Sequence, residues 1–195
     1  MSTAIKIEKV SKVFGENIVL SNVTIAFESG KIHGLIGRNG SGKTMLMKCI
    51  CGFVPITSGK IYINEQEMRK NFDVPDNVGV IIETPGFLPA YSAYQNLKFL
   101  ADINGKISKQ QIYDTIKLVG LDPDSKKHIG KYSLGMRQRL GLAQAIMENP
   151  DILILDEPMN GLDKEGVSDM RKYILALKEQ GKTIIIASHS SEDIE

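Results

Sequence analysis

A glycine-rich segment, GRNGSGKT at residues 37–44, has the residue types needed to hold a chain of phosphates. Glycines let backbone N–H groups curl around phosphate oxygens, and the segment fits the pattern G-x-x-x-x-G-K-[ST]. It lies between a predicted strand, KIHGLIG, and a predicted helix, KTMLMKCICG, which is the context the pattern requires. Lys43 is expected to reach the β- and γ-phosphates and Thr44 to bind Mg²⁺, whereas the alternative is a glycine-rich turn with a surface lysine. The residues expected to contact the nucleoside triphosphate are Gly37, Arg38, Asn39, Gly40, Ser41, Gly42, Lys43 and Thr44.

An acidic pair follows an apolar run in ILILDEP, at residues 152–158. The run predicts a fully buried strand, and α/β sheets bind ligands at the carboxyl ends of such strands. Asp156 is expected to hold Mg²⁺ through water, and Glu157, which should point differently, is the better candidate to polarise an attacking water molecule. An acidic pair can also cap a helix, but its combination with the glycine-rich loop favours the catalytic interpretation.

A third carboxylate stands alone in VIIETPGF, at residues 80–87, where Glu83 follows three β-branched residues and precedes a Thr-Pro-Gly turn. Three roles are open to it: a catalytic base, a metal ligand, or a solvated residue at the end of a strand. Glu157 fits the base better because it directly follows Asp156. Metal binding and simple exposure to solvent remain the alternatives for Glu83.

The pattern of hydrophobic residues predicts the elements that position these side chains. Alternation in the first thirty residues indicates two strands and an antiparallel N-terminal sheet. An α/β unit then begins at the glycine-rich loop, and its pattern resumes with ILILDEP, the helix MRKYILALKEQ and the strand TIIIASHS. Between these parts, two Ser-x-x-Gln capping boxes and the run RQRLGLAQAIME predict three helices and no buried strand.

We therefore expect one domain over residues 1–195, of the α/β class with a P-loop NTPase core. Residues 1–91 and 149–195 would form this core together with an N-terminal antiparallel β-subdomain. Residues 92–148 would form an inserted α-helical subdomain.

The composition is that of a folded globular chain, with 42% hydrophobic and 24% charged residues. The formal net charge of +1 argues against a dominant nucleic-acid surface, so no nucleic-acid partner is expected. Cys49 and Cys51 are poorly spaced for a disulfide and too few for a zinc site, which indicates a reducing compartment. Since no apolar run reaches bilayer length and the N-terminus lacks a signal-peptide core, we expect a cytoplasmic location.

Four motifs carry a resemblance to a known family: GRNGSGKT, SLGMRQRLGLAQAI, ILILDEPMNGLD and IIIASHS, in this order. The chain resembles the nucleotide-binding domain of an ABC transporter over nearly its whole length. The resemblance implies that ATP and Mg²⁺ are cofactors, that ATP is hydrolysed, and that a separate membrane permease holds the domain on the inner face of the cell membrane. It also implies a homodimer that forms head-to-tail on ATP binding.

The resemblance assigns roles to further residues. The family's signature motif corresponds to YSLGM at residues 132–136, so Ser133 and Gly135 of one subunit would close on the γ-phosphate held by the other. Ser133 is also placed to cap the following helix, which is a purely structural alternative. His189 matches a histidine that contacts the γ-phosphate and orients the catalytic glutamate; outside this context it would be a polar loop residue. Phe14 corresponds to an aromatic residue that stacks on adenine, and would otherwise belong to the core.

The sequence also departs from the family pattern. Leu134 replaces a signature glycine, so the closed dimer is expected to differ in detail. Glu83 replaces a glutamine, and a carboxylate attracts Mg²⁺ more strongly but repels phosphate where no metal intervenes. With ETPGF and SLGM, the chain is similar to ATPases of bacitracin and lantibiotic resistance or immunity. The chain ends six residues after His189, where the family continues, so the usual C-terminal part is expected to be absent.

We therefore expect the ATPase subunit of an ABC exporter whose substrate is an antimicrobial peptide or another amphipathic compound. One alternative is an ATPase of the same family that acts on ribosomes or DNA, which usually needs a second cassette or a coiled-coil insertion. Another is a regulatory module that binds ATP without useful hydrolysis. The expected catalytic residues are Glu157, His189 and Lys43, and the expected metal ligands are Thr44, Glu83 and Asp156.

Overall fold

The computed structural model describes residues 2–68, 75–83 and 86–190. The Thr-Pro pair of the predicted turn after Glu83 lies outside these residues. In chain order the elements are β1 (Thr3–Phe14), β2 (Asn17–Glu28), β3 (Ile32–Ile36), α1 (Lys43–Ile50), β4 (Ser58–Ile63), β5 (Gln66–Glu67), β6 (Val78–Ile81), α2 (Ala93–Asn104), α3 (Lys109–Leu118), α4 (Leu134–Ile146), β7 (Ile152–Asp156), α5 (Lys164–Glu179) and β8 (Thr183–Ser188), with a 3-10 turn at Ile129–Lys131.

An antiparallel sheet of four strands, in the order β2-β1-β4-β5, contains the N-terminal hairpin. Strand β1 is central, and its Ile5 lies opposite Phe27 of β2 on one side and Ile63 of β4 on the other. All three side chains are buried, because alternate residues of these strands face the core. The predicted N-terminal antiparallel sheet is confirmed.

A second sheet of four parallel strands has the order β3-β8-β7-β6. Every residue of β7 and β8 is buried, as expected for inner strands covered on both faces. The carboxyl ends of β3, β7 and β8 therefore meet along one edge of the sheet. This edge carries the glycine-rich loop, the acidic pair and His189.

The parallel sheet separates two hydrophobic cores. Leu153 and Leu155 of β7 pack on the side of α2 to α5, whereas Ile152 and Ile154 face the antiparallel sheet and α1. Alternate residues of β8 divide in the same way. Both strands are thereby held from two sides, which gives the catalytic edge a rigid support.

Residues 92–148, all of which have a described backbone, form helices and contain no strand. Both predicted capping boxes are present: Ser92 and Gln95 cap α2, and Ser108 and Gln111 cap α3. Each serine hydroxyl accepts a hydrogen bond from the glutamine N–H, and each glutamine side chain accepts one from the serine N–H. The third predicted helix, α4, ends at Ile146, a few residues before Pro150. Within the described part of the chain, no helix is both long and apolar enough to cross a bilayer.

Candidate active site

The glycine-rich loop joins β3 to α1 and exposes its central residues. Gly40 and Gly42 have φ angles of 81° and 93°, which side-chain-bearing residues rarely adopt. A Cβ at Gly42 would lie 2.9 Å from Cδ2 of Leu20 and 3.1 Å from the carbonyl oxygen of Val19, so the loop also packs tightly against β2. No side chain caps the N-terminus of α1. Backbone N–H groups at a helix start attract anions, and this loop is shaped to present them to phosphate.

Lys43 lies inside this loop. Its Nζ donates hydrogen bonds to the carbonyl oxygens of Gly37 and Arg38, the second at 3.3 Å. The same ammonium is 3.9 Å from Oε1 of Glu157. The positive charge therefore lies between the phosphate loop and the acidic pair, where the terminal phosphates of a bound nucleotide would need neutralisation.

Thr44 and Asp156, two of the three residues expected to bind Mg²⁺, contact each other directly. The Thr44 hydroxyl donates a 2.7 Å hydrogen bond to Oδ2 of Asp156, and Oδ1 is buried without a partner among the described residues. Burial raises the pKa of the Asp156 carboxyl, and the negative charges of Glu157 and Glu83 raise it further. The hydrogen bond from Thr44 and the positive charge of Lys43 act in the opposite direction and lower this pKa. An unpartnered, hard oxygen beside a hydroxyl fits Mg²⁺, which prefers a few protein oxygens together with phosphate and water.

The structure contains no cluster of three or more histidine, cysteine or acidic side chains at metal-binding distance within the described ranges. A cage made only of protein ligands is thus not formed there. The Thr44 and Asp156 pair leaves most coordination positions to the nucleotide and water, as is usual for Mg²⁺ bound with phosphates.

Glu157 points away from Asp156, as the sequence predicted. Its φ of 48° is in the left-handed region, which interrupts the alternation of the strand, and its N–H donates to the carbonyl oxygen of Ala187 at 2.9 Å. Oε2 lies 2.8 Å from Nδ1 of His189, while Oε1 faces Lys43. Since an ionised carboxylate only accepts hydrogen bonds, this contact places a proton on Nδ1. The Glu157 carboxylate is therefore held between an imidazole and an ammonium.

Glu83 is paired rather than merely solvated. It lies two residues beyond β6 with a φ of 60°, and its Oε1 is 2.6 Å from Nζ of Lys48 on α1. The side chain is 64% exposed, and its negative charge adds to the raised pKa of Asp156. Lys48 was not among the residues predicted from the sequence. Its spacing of four residues from Thr44, which places both on one face of α1, was the available signal.

Phe14 is not a core residue. It is 49% exposed at the end of β1, and Nζ of Lys12 lies 4.4 Å from the centroid of its ring. The ring is therefore available to a ligand on the side away from Lys12. The sequence alone indicated neither that Lys12 contacts Phe14 nor that Lys12 is buried.

Ser133 and Gly135 lie in a different place from the residues above. Ser133 caps α4 by accepting a 3.2 Å hydrogen bond from the N–H of Met136, which confirms the predicted cap. Both residues line a cavity of about 440 Å³ between the start of α4 and the segment before α5, and the residues of the glycine-rich loop do not line it. Leu134 projects across this cavity toward Gly161, where an added Cβ would lie 2.5 Å from Leu134 Cδ2. Within one chain the structure does not bring the signature to the phosphate loop.

A parallel sheet that presents a phosphate loop, a hydroxyl–aspartate pair and a turned glutamate at one edge defines a P-loop nucleoside triphosphatase. Within this class, the family profile described as ABC transporter matches residues 20–160. The chain belongs to the ABC transporter family, and it is an ATP-binding, ATP-hydrolysing subunit. The family resemblance and the α/β fold class predicted from the sequence are confirmed.

Three relatives illustrate the similarity. The uncharacterized ABC transporter ATP-binding protein YybJ of Bacillus subtilis is 45% identical over 97% of this chain and 87% of its own. The bacitracin transport ATP-binding protein BcrA of Enterococcus faecalis is 42% identical, and this chain spans 64% of its length. The lantibiotic transport ATP-binding protein SrtF of Streptococcus pyogenes is 39% identical over 98% of this chain and 82% of its own.

Solved structures show the same fold. An ATP-binding cassette of an ABC transporter in its ADP conformation matches 100% of this chain and 84% of its own, with a TM-score of 0.87 and 23% identity. CbiO1 of Clostridium perfringens, part of an ABC transporter complex, matches 97% of this chain and 80% of its own, with a TM-score of 0.85 and 25% identity.

Proposed function

We propose that this ATPase drives export of an antimicrobial peptide, or another amphipathic compound, through a separate membrane permease. Support comes from the relatives BcrA and SrtF, which are named for bacitracin and lantibiotic transport and are 42% and 39% identical to this chain. The motifs ETPGF and SLGM, which contain Glu83 and Ser133, are similar to the same branch. On this proposal the chain works at the inner face of the cell membrane, bound to its permease.

In the proposed reaction Thr44 and Asp156 would hold Mg²⁺, and Glu83 would add negative charge on the metal side. A bound Mg²⁺ would supply neutralisation of the charge on the β- and γ-phosphates. Lys43 is the protein's own contribution to that neutralisation, because its ammonium lies inside the phosphate loop. Binding of phosphate would replace the loop carbonyls that Lys43 contacts.

The observation that carries the catalytic part is the position of Glu157 between His189 and Lys43. A general base must be oriented and must remain able to accept a proton from water. The 2.8 Å contact with His189 orients the carboxylate, and its side chain stays 22% exposed, so that water can reach it. We assign Glu157 to polarising the attacking water and His189 to orienting Glu157 and contacting the γ-phosphate.

The proposed active form is a head-to-tail homodimer. Ser133 and Gly135 line their own cavity at the start of a helix of 13 residues, whose N-terminal dipole favours an anion. Since one chain keeps this helix start away from its own phosphate loop, a second copy is needed to bring the two together. The signature residues of one subunit would then close over the ATP that is bound to the phosphate loop of the other.

An exposed apolar patch supports a permease partner. Leu88, Tyr91, Phe99 and Ile103 are exposed on α2 and on the loop before it. The rings of Tyr91 and Phe99 are 5.0 Å apart, and Ile103 lies one turn after Phe99 on the same helix. Asn96 ties the loop to the helix through hydrogen bonds with the backbone of Leu88. An exposed group of apolar side chains of this kind suits docking of a membrane protein.

Glu157→Gln tests the proposed function. This isosteric change removes the ability to accept a proton, so phosphate release should fall by about a hundredfold or more, while ATP binding and the accumulation of dimer with ATP persist. Phosphate release and size-exclusion chromatography with ATP measure these effects. Cells that carry the variant in place of the natural protein should lose tolerance to bacitracin-like or lantibiotic peptides.

The matched control is Glu179→Gln, a change at the exposed end of α5 outside the site. It should leave phosphate release and tolerance unchanged. Normal turnover in Glu157→Gln would remove that residue from its assigned role. Unchanged peptide tolerance with lost turnover would keep the ATPase assignment and contradict the substrate class.

A further inference from the structure

Lys12 is a buried cation that the proposed reaction does not use. It lies on β1 and is 8% exposed, and its Nζ donates a 2.8 Å hydrogen bond to the carbonyl oxygen of Pro55. Within the described residues it forms no ion pair with a carboxylate. Burial of a charge without a counter-charge is costly, so its contacts need an explanation beyond packing.

The other contact of this ammonium is the ring of Phe14. Nζ lies 4.4 Å from the ring centroid, a distance at which a cation is attracted to the electron-rich face of an aromatic ring. Phe14 is nevertheless 49% exposed, so Lys12 covers one face of the ring and leaves the other open. The carbonyl of Pro55 and the ring of Phe14 together hold the ammonium beneath an exposed aromatic platform.

This platform lies beside the phosphate loop. In the β1–β2 hairpin Lys12 lies opposite Leu20, and Phe14 lies opposite Asn17. Leu20 in turn packs against Gly42, where an added Cβ would be 2.9 Å from Leu20 Cδ2. The end of the hairpin is thereby fixed against the loop that is expected to bind phosphates.

We propose that Lys12 is a positioning residue for the nucleobase of ATP, acting through Phe14. The ammonium holds the ring in place and draws its π-electron density toward the covered face, which lowers repulsion between the open face and the π-electrons of a stacked adenine. The inference rests on the proposed binding of ATP at the phosphate loop. It assigns to a buried lysine a part in base recognition rather than in phosphate binding.

Lys12→Met tests this inference in the full chain, because methionine keeps an unbranched side chain without the charge. The probes are Mg²⁺-ATP and Mg²⁺-tripolyphosphate, measured by titration calorimetry. We expect the Kd for ATP to rise about fivefold to tenfold, between the sizes of an exposed and a desolvated cation–π contact, while the Kd for tripolyphosphate, which has no base, stays within about twofold. Lys12→Arg, which keeps the cation, should retain most of the ATP affinity.

Phe14→Leu provides a second test that does not depend on a buried substitution. It removes the π face at an exposed position and should raise the Kd for ATP alone; adding Lys12→Met to it should then have no further effect. An unchanged ATP affinity in either single variant, or equal losses for ATP and tripolyphosphate, would overturn the inference. If the unaltered chain binds neither probe, it is the proposed function that fails.

Discussion

Two neighbouring carboxylates, Asp156 and Glu157, acquire different tasks from their surroundings. Asp156 ends a buried strand and accepts a hydrogen bond from Thr44, and burial raises the pKa of its carboxyl. Glu157 is turned by its left-handed backbone toward His189 and Lys43. One carboxylate thus suits a metal and the other suits water, although they are adjacent in the chain.

Glu83 is predicted to set the Mg²⁺ requirement. Its negative charge attracts the metal but repels phosphate when the metal is absent, so activity should depend more steeply on Mg²⁺ in the natural chain than in Glu83→Gln. A partly exposed charge interaction is below about 1 kcal/mol, so we expect the half-maximal Mg²⁺ concentration to differ by about twofold to fivefold. Titration of Mg²⁺-ATP hydrolysis in both proteins measures this difference.

Lys48 supplies the control for this prediction. It is 2.6 Å from Glu83, so Lys48→Met leaves the carboxylate uncompensated and should make the Mg²⁺ requirement steeper still. In the double variant with Glu83→Gln, the titration should follow that of Glu83→Gln alone. Superimposable titrations for the natural chain and Glu83→Gln would contradict the assignment of Glu83 to the metal side.

Among the elements, the start of α4 packs against the segment before α5. Leu134, which replaces a glycine of the usual signature, reaches Gly161, whose φ is 71°. A side chain at Gly161 would both strain the backbone and meet Leu134 Cδ2 at 2.5 Å. The leucine at position 134 of the signature therefore fits only because residue 161, which lies 27 residues later in the chain, is a glycine.

Gly161→Ala is expected to destabilise the chain more than backbone strain alone explains. Gly105, which ends α2 with a φ of 64° and has open space around it, is the matched control. Gly105→Ala should lower the free energy of unfolding by about 1 kcal/mol, and Gly161→Ala by about 2 kcal/mol. Urea unfolding measures both changes. In a chain that also carries Leu134→Ala, the two glycine variants should lose the same free energy of unfolding. If they already lose the same amount when Leu134 is present, the contact with Leu134 does not contribute to stability.

In the molecule as a whole, the carboxyl edge of the parallel sheet lowers the free energy of unfolding when no ligand is bound. The parallel sheet is packed on both faces, yet its edge contains a buried carboxylate oxygen without a partner among the described residues. A folded-state pKa above the ordinary value of 3.8 means that the folded chain binds this proton more tightly than the unfolded chain does. Stability is thus lost as pH rises from that ordinary value through the raised one.

Asp156→Asn should therefore stabilise the nucleotide-free, metal-free chain. The gain in free energy of unfolding should be small in acid and reach about 1–2 kcal/mol at neutral pH, because the amide never carries the buried charge. Urea unfolding with EDTA at a series of pH values measures it. Asp102→Asn on the surface of α2 is the control and should change little. Mg²⁺-ADP should stabilise the natural chain more than Asp156→Asn, so that the natural chain becomes the more stable of the two. If the gain in stability from Asp156→Asn is the same at every pH, the explanation by a buried charge is contradicted.

Features that depend on residues close together in the chain could be predicted from the amino-acid sequence alone. The glycine-rich loop, the apolar strand before Asp156 and both Ser-x-x-Gln caps are short-range patterns, and each was found where it was predicted. These patterns are reliable because they depend on local backbone geometry and on hydrogen bonds between residues only a few positions apart.

Contacts between side chains far apart in the chain could not be predicted in this way. The strand order β3-β8-β7-β6 brings the carboxyl ends of β7 and β8 together, and so places His189 against Glu157. The contacts of Lys48 with Glu83 and of Lys12 with Pro55 join residues 35 and 43 positions apart. No local pattern specifies such contacts, because they depend on which elements become neighbours once both hydrophobic cores are packed.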